Sequence, residues 1–355
     1  MPEALQITIT GHRQKSAWDA CEFPPVEQVR DSVWSIPVPF PDNPLRYTIA
    51  YLLAGTAGAV VVDPGWDSDE GWEALAAGLR TADLSPREVS GIVITHYHPD
   101  HHGMTGRLRE VSGAWVAMGA DERWRDHADD PDMALATDKA QLAHWGVPAD
   151  RLEEMSFSTK AATVPSLLLP DLELDDGALL PLPGRRVRVV STPGHTPGHI
   201  CLVDEDHGLL FSGDHVLPRI SPHISLEEGG LANPLDDYFD SLDILARYGN
   251  ELEVCPAHEY RFRGIRDRVA FLAEHNRARS DEVRRVLESG QAGTVWEVAA
   301  RLTWSRGWAA LNGHSLRFAV AETASHVVYL RSLGLETGIE TGWLADEAVP
   351  NGLPS

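Results

Sequence analysis

Apolar and polar positions divide the chain into three regimes. Residues 1–63 read as strands and turns. Residues 6–10 and 33–37 are short strand candidates, 39–44 is a rigid proline-containing loop, and 46–53 with 59–62 pair as a hairpin. The period then changes: over residues 69–81 Trp72, Leu75, Ala76 and Leu79 recur at helical spacing behind Ser68 and Asp69, which suit a helix start. An apolar strand at 91–94, a helix at 103–111 and a strand at 114–118 complete an α/β layered arrangement. Residues 119–175 lose this regularity. Helical stretches at 133–145 and 149–155 carry exposed-looking Trp124, Met133, Trp145 and Met155, so the insertion reads either as a substrate lid or as a helical side layer. Strands return at 187–191, 200–203, 209–211 and 252–254, with a helix at 236–248. From residue 265 the pattern is helical, over 265–288, 295–302 and 316–333, followed by a small hairpin candidate at 338–344.

Chemistry collects where the strands end. The run Gly91-Ile92-Val93-Ile94 opens into Thr95-His96-Tyr97-His98-Pro99-Asp100-His101-His102. In extended backbone alternate side chains share a face, so His96 and His98 can present two imidazoles to one metal ion. Pro99 turns the chain and aims Asp100 and His101 elsewhere, towards a second ion. The same succession of apolar strand and then ligand recurs at His195, at Asp214 and at His258. His and carboxylate side chains suit borderline divalent metals, and four repeats of one pattern argue against unrelated structural histidines. Asp63 also ends an apolar strand, at Asp63-Pro64-Gly65. It is either a turn-initiating acid or a carboxylate that orients a metal-bound His.

Composition narrows the partners. The 355 residues allow a full core plus an appendage, and a formal charge of −23 disfavours nucleic acid and anionic membrane. No apolar run approaches membrane-spanning length and the N-terminus has no signal-peptide pattern, so the expectation is a cytoplasmic protein with a small-molecule substrate. Cys21, Cys201 and Cys255 lack paired spacing, so neither a disulfide framework nor a Cys-type zinc site is expected.

These motifs, in this order, resemble the metallo-β-lactamase superfamily: His-x-His-x-Asp-His at 96–101, Pro-Gly-His at His195, Gly-Asp at Asp214, a terminal His258 and an early Asp63. The resemblance covers about residues 30–262. It implies an αββα sandwich of α/β (α+β) class, with the metals at one edge. It assigns His96, His98 and His195 to the first metal, Asp100, His101 and His258 to the second, and Asp214 between them. Asp100 and Asp214 are then the catalytic carboxylates. Asp63 and His199 are surrounding residues, as is His215. The absence of a thiol ligand favours the glyoxalase II and lactonase groups over true β-lactamases. Ala257 and Glu259 flank His258 where the family often reads Pro-Gly-His-Gly. Residues 1–264 form the expected catalytic domain. Residues 265–355 resemble the winged-helix-like C-terminal segment of one branch; being net acidic, they suit packing or homodimer formation better than DNA.

Two close divalent ions, zinc first with iron or manganese as alternatives, can share a hydroxide that attacks an ester-like carbonyl. Arg261, Arg263, Arg266 and Arg268, with Tyr260 and His223, are candidate substrate contacts. The arginines would recognise the anionic groups of coenzyme A or glutathione, which makes thioester hydrolysis the first expectation. Ion pairing of these arginines with acids such as Asp267 is the alternative. Lactone hydrolysis and then phosphodiester or ribonuclease activity follow. A dinuclear iron redox centre, or a binding protein with a structural metal, are readings of a different class.

Overall fold

The computed structural model describes residues 7–122, 131–156, 169–227 and 230–342. Contacts divide the chain into two compact units. The first comprises Met1–Trp124, Val164–Pro222 and Asp237–Ala273; the second comprises Arg125–Thr163, His223–Asp236 and Glu274–Ser355.

Two sheets build the first unit. Seven strands lie in chain order, Glu27–Arg30, Val33–Pro39, Tyr47–Gly55, Gly58–Val62, Val89–Ile94, Trp115–Gly119 and Leu172–Leu174, antiparallel up to Gly58–Val62 and parallel beyond it. The other sheet has the order Thr8–Ile9, Phe262–Arg263, Glu253–Pro256, Leu209–Gly213, Ile200–Asp204, Val187–Ser191. Strand alternation explains the layering. Tyr47, Ile49, Tyr51 and Leu53 point one way, into a core shared with Val187, Val189, Leu202, Leu209 and Phe211. Ala50 and Leu52 point the other way and pack with Ile92, Ile94, Val116 and Met118 against Leu75 and Leu79 of the helix Asp69–Arg80 and against Leu108 of Thr105–Ser112. A strand buried on both faces must be apolar at nearly every position, which is why the run from 47 to 53 shows no polar alternation.

The second unit is helical. Trp145 and Met155 are buried in a core with Val283, Val295, Val298, Leu316, Val320, Ala324, Val327 and Leu330. Their exposed look in the sequence is thus corrected: aromatic and thioether side chains at helical spacing serve as packing here, and these two are not free to form a lid surface. Trp124 and the Met133 side chain fall outside the described residues. The insertion helices Pro131–His144 and Leu152–Met155 group with the C-terminal helices, so contacts do not divide after residue 264 as expected. No strand forms between 338 and 342, and the rest of the expected hairpin lies outside the described residues. The strand-and-turn reading of residues 1–63 missed the helix His12–Ala20. It starts at Gly11 without a side-chain cap and buries only Gln14 and Ala17, so it carries little apolar period to detect.

Candidate metal centre

The four strand-end segments meet within the first unit. His96 and His98 follow the strand Val89–Ile94 directly. His98 then stands at the cap position of the short helix Pro99–His102, where Pro99 opens the turn and swings Asp100 and His101 inward. His195 occupies the turn between Val187–Ser191 and Ile200–Asp204, Asp214 follows Leu209–Gly213, and His258 follows Glu253–Pro256. Gly213 has φ +49°, and a Cβ there would lie 2.6 Å from His199 Nε2, so only glycine lets the strand end this way.

Three overlapping ligand sets result, each with its donor atoms within 4.8 Å of one another: His96, His98 and His195; His96, His101 and Asp214; and Asp100, His101 and His258. His98 Nδ1 lies 3.0 Å from His96 Nε2 and 3.1 Å from His195 Nε2. His258 Nε2 lies 3.2 Å from both Asp100 Oδ2 and Asp214 Oδ1, and His101 Nε2 lies 3.6 Å from each of the same two oxygens. His195 Nε2 stands 4.0 Å from Asp214 Oδ2. Asp214 therefore reaches towards both sides. His101 proves less segregated than its place after Pro99 suggests, since it belongs to two of the three sets and its ring centroid is 4.0 Å from that of His96.

Groups behind the centre fix the rings. Asp63, held at φ +51°, takes the Thr95 N–H at 2.8 Å and the Thr95 hydroxyl at 2.8 Å, and its Oδ2 lies 2.9 Å from His101 Nδ1. The carboxylate thus orients His101 so that Nε2 faces the centre, and Asp63 is more than a turn former. His258 Nδ1 is 3.0 Å from the carbonyl of Tyr47, which turns its Nε2 inward in the same way. His199 is locked by Thr192 Oγ1 at 2.8 Å, and its ring centroid lies 5.2 Å from that of His96. His215 is fully buried against Tyr238.

The arrangement fits metal ions. His101 Nε2, His258 Nε2 and Asp214 Oδ1 are buried without a hydrogen bond of acceptable geometry, although each points at the others. Such atoms are costly unless something satisfies them. Burial, reinforced by the neighbouring imidazoles, keeps His96 neutral and pushes His98 down to about 3; neutral imidazole is the ligating form. Burial also opposes a charge on His101 and His258. There the carboxylates win: Asp100, Asp214 and Asp63 raise His101, and Asp214 with Asp100 raises His258 to about 10. Among the described residues no lysine or arginine pairs with Asp63, Asp100 or Asp214. The carboxylates thus draw positive charge to this point, and the histidines are the groups that answer them.

The proposed substrate contacts fare differently. Arg261 is buried and committed to Glu253 at 2.6 Å and Glu27 at 3.0 Å. Arg268 is also buried and donates to the carbonyls of Leu217 and Ile220. Arg266 donates to the Ala246 carbonyl, and Arg263 sits in a strand opposite Thr8 and Glu253. Ion pairing, the alternative given above, thus accounts for Arg261, though with Glu253 and Glu27 rather than Asp267, and backbone carbonyls, which the sequence did not suggest, account for Arg268. Tyr260 is largely buried, and His223 belongs to the second unit, beside Ser225, Glu322 and Phe318. Sequence reading passed over Arg219, whose guanidinium pairs at 2.8 Å with buried Glu259, the residue that follows His258 at φ +71°. It also passed over Glu122, although an acid just past the strand Trp115–Gly119 repeats the pattern of Asp63 and Asp214.

Comparison with known proteins agrees with this geometry. Residues 44–258 match the family described as the Metallo-beta-lactamase superfamily. The probable metallo-hydrolase YqjP of Bacillus subtilis (strain 168) is 25% identical over 314 residues, 87% of this chain and 93% of that one. An acyl-coenzyme A thioesterase, MBLAC2 of Gallus gallus, is 29% identical over 174 residues, 47% of this chain and 56% of its own. Among solved structures, the metallo-beta-lactamase family protein TTHA1429 of Thermus thermophilus is 30% identical with a TM-score of 0.72, covering 86% of this chain and 95% of that chain. A beta-lactamase domain protein of Burkholderia ambifaria is 28% identical with a TM-score of 0.72 and covers 93% of each. Fold, ligand geometry and sequence match lead to one conclusion: the chain belongs to the metallo-β-lactamase superfamily.

Proposed function

We propose that the protein is a dinuclear metal-dependent hydrolase of ester-like carbonyls, with acyl thioesters of coenzyme A or glutathione type as its first substrate class. The observation that carries the reading is the convergence of five imidazoles and two carboxylates on one buried point, with no lysine or arginine among the described residues to balance them. His96, His98 and His195 would hold one ion, Asp100, His101 and His258 the other, and Asp214 would face both. Bound there, divalent ions supply Lewis acidity and make water acidic enough to attack at neutral pH. The protein's own part is orientation: Asp63 and the Tyr47 carbonyl hold His101 and His258 in the ligating tautomer, while Asp100 and Asp214 are the groups able to hold a proton beside the reacting carbonyl.

The thioester preference rests on the partial match to an acyl-coenzyme A thioesterase. Arg261 and Arg268 lend it no support, being spent on internal bonds. Zinc is the first expectation for a nitrogen and oxygen ligand set, and iron and manganese suit it too. A panel of acyl-CoA, acyl-glutathione, lactone and phosphodiester substrates, assayed with metal quantified, tests the proposal. Thioester turnover that chelation abolishes and metal restores is expected. A chain carrying two ions that turns over neither thioester nor lactone, or redox-active iron without hydrolysis, would sink it.

A further inference from the structure

Beyond the ligands, one buried carboxylate reaches two of the loops that supply them. Glu122 lies just past the end of the strand Trp115–Gly119 and is buried. Its Oε1 accepts the Tyr97 N–H at 2.6 Å, the backbone link between His96 and His98. Its Oε2 accepts the Gly198 N–H at 2.6 Å and the Thr196 hydroxyl at 2.9 Å, both in the turn that carries His195. The approach is tight: a Cβ on Gly198 would fall 1.8 Å from the Glu122 nitrogen, so the turn can close on the carboxylate only with glycine there.

We infer that Glu122 is a positioning residue that sets the spacing of His96, His98 and His195, and so the affinity of the first metal position in particular. The inference rests on the metal-centre reading above. A carboxylate is suited to the task because it offers acceptors on two sides and no donor, and the Tyr97 N–H, the Gly198 N–H and the Thr196 hydroxyl are all donors. It joins the end of a strand in one sheet to a turn between strands of the other, so the separation of the two loops is held by one rigid group. His101, His258 and Asp100 are held from elsewhere, by Asp63, by the Tyr47 carbonyl and by the Thr48 hydroxyl respectively, so the second position is expected to be indifferent to Glu122. Glutamine is nearly the same size but keeps one acceptor. Its NH2 must then oppose an N–H, on the Tyr97 side or the Gly198 side, which splits the tie.

The test is stepwise zinc affinity of the full chain, measured without substrate by competition with a chromophoric chelator, for wild type, Glu122→Gln, Thr196→Val and each of these combined with His98→Ala. Glu122→Gln is expected to weaken one of the two ions by about 10–100-fold and spare the other, the range seen when a group behind a metal ligand is lost. Thr196→Val, which removes one donor and keeps the carboxylate, is expected to weaken the same ion by roughly fivefold. In the His98→Ala background neither change should weaken the remaining ion further. Unchanged affinities, equal loss of both ions, or a further loss in the His98→Ala background would each overturn the inference. If Glu122→Gln fails to fold, Thr196→Val decides by the same criteria. A chain that binds two ions but hydrolyses nothing would overturn the proposed function and leave this inference standing; a wild type that binds fewer than two would overturn both.

Discussion

The metal centre of the first unit and the polar cluster around His326 in the second both bury imidazole beside carboxylate, yet they close their charge in opposite ways. Around His326 the groups complete one another. Ser280 Oγ lies 2.8 Å from His326 Nδ1, and Glu322 stands 3.4 Å from His223 and 3.9 Å from Arg279. Burial dominates and lowers His326 to about 4, with Glu322 opposing and Arg279 adding to the effect. The imidazole is simply a neutral core residue. In the centre, the same residue types point their free atoms at one another, and the carboxylates raise His101 and His258 against the pull of burial. Burial of histidine is thus a poor sign of a site by itself. Convergence with no lysine or arginine partner among the described residues is the informative feature.

The comparison can be broken most directly at Asp214. Asp214→Ala removes the one carboxylate that faces both sides, and should lower hydrolysis and the affinity of at least one ion by more than about 100-fold. Metal content after dialysis against a weak chelator checks this, and retention of both ions would undo the centre as described. Arg261→Ala is next. It removes one of the two guanidiniums, Arg261 and Arg30, that each lie 2.6 Å from buried Glu253, so a loss of about 1–3 kcal/mol in stability is expected, with KM unchanged in whatever protein survives. A raised KM at full stability would instead restore the substrate-contact reading.

A smaller effect sharpens the other side. Below pH 6.5 the unfolded chain protonates at residue 326, whereas native His326 stays neutral until about pH 4. Its contribution is therefore complete above pH 6.5 and falls away as pH drops towards 4, at up to about 1.4 kcal/mol per pH unit. Urea midpoints of the chelated protein between pH 7 and 4.5 should slope less in His326→Asn than in wild type. Arg279 and His275 add to the effect of burial on this ring while Glu322 and Glu282 oppose it, and equal slopes would mean that the two acids cancel it. The smallest change is expected at Arg266, which is exposed: Arg266→Ala should alter stability by less than about 0.5 kcal/mol and leave the ratio of KM for an acyl thioester to KM for a neutral lactone unchanged.

Read along the chain, the seven convergent residues were legible because each obeys a local rule. An apolar strand ends and a His or Asp follows within a few positions, and that rule needs no knowledge of what lies across the site. The helix Asp69–Arg80 and the strands Tyr47–Gly55 and Val187–Ser191 were legible for the same reason, as periodicity is a property of neighbours. Pairings across long separations were not. The sequence shows an acid at Asp63 but not that it serves His101; it shows four arginines after His258 but not that Arg261 is sealed against Glu253 and Glu27, or that Arg268 is bound to two carbonyls. Trp145 and Met155 looked exposed because the helices that cover them come more than a hundred residues later.

The sequence by itself therefore determined the candidate ligand types, their order and the strand ends that carry them, because residue identity and backbone period are written locally. Tertiary structure alone decided which of these side chains converge, which groups hold their rings and which charges are already spent. Those depend on distances of a few ångströms between segments that only the packing of two sheets brings together.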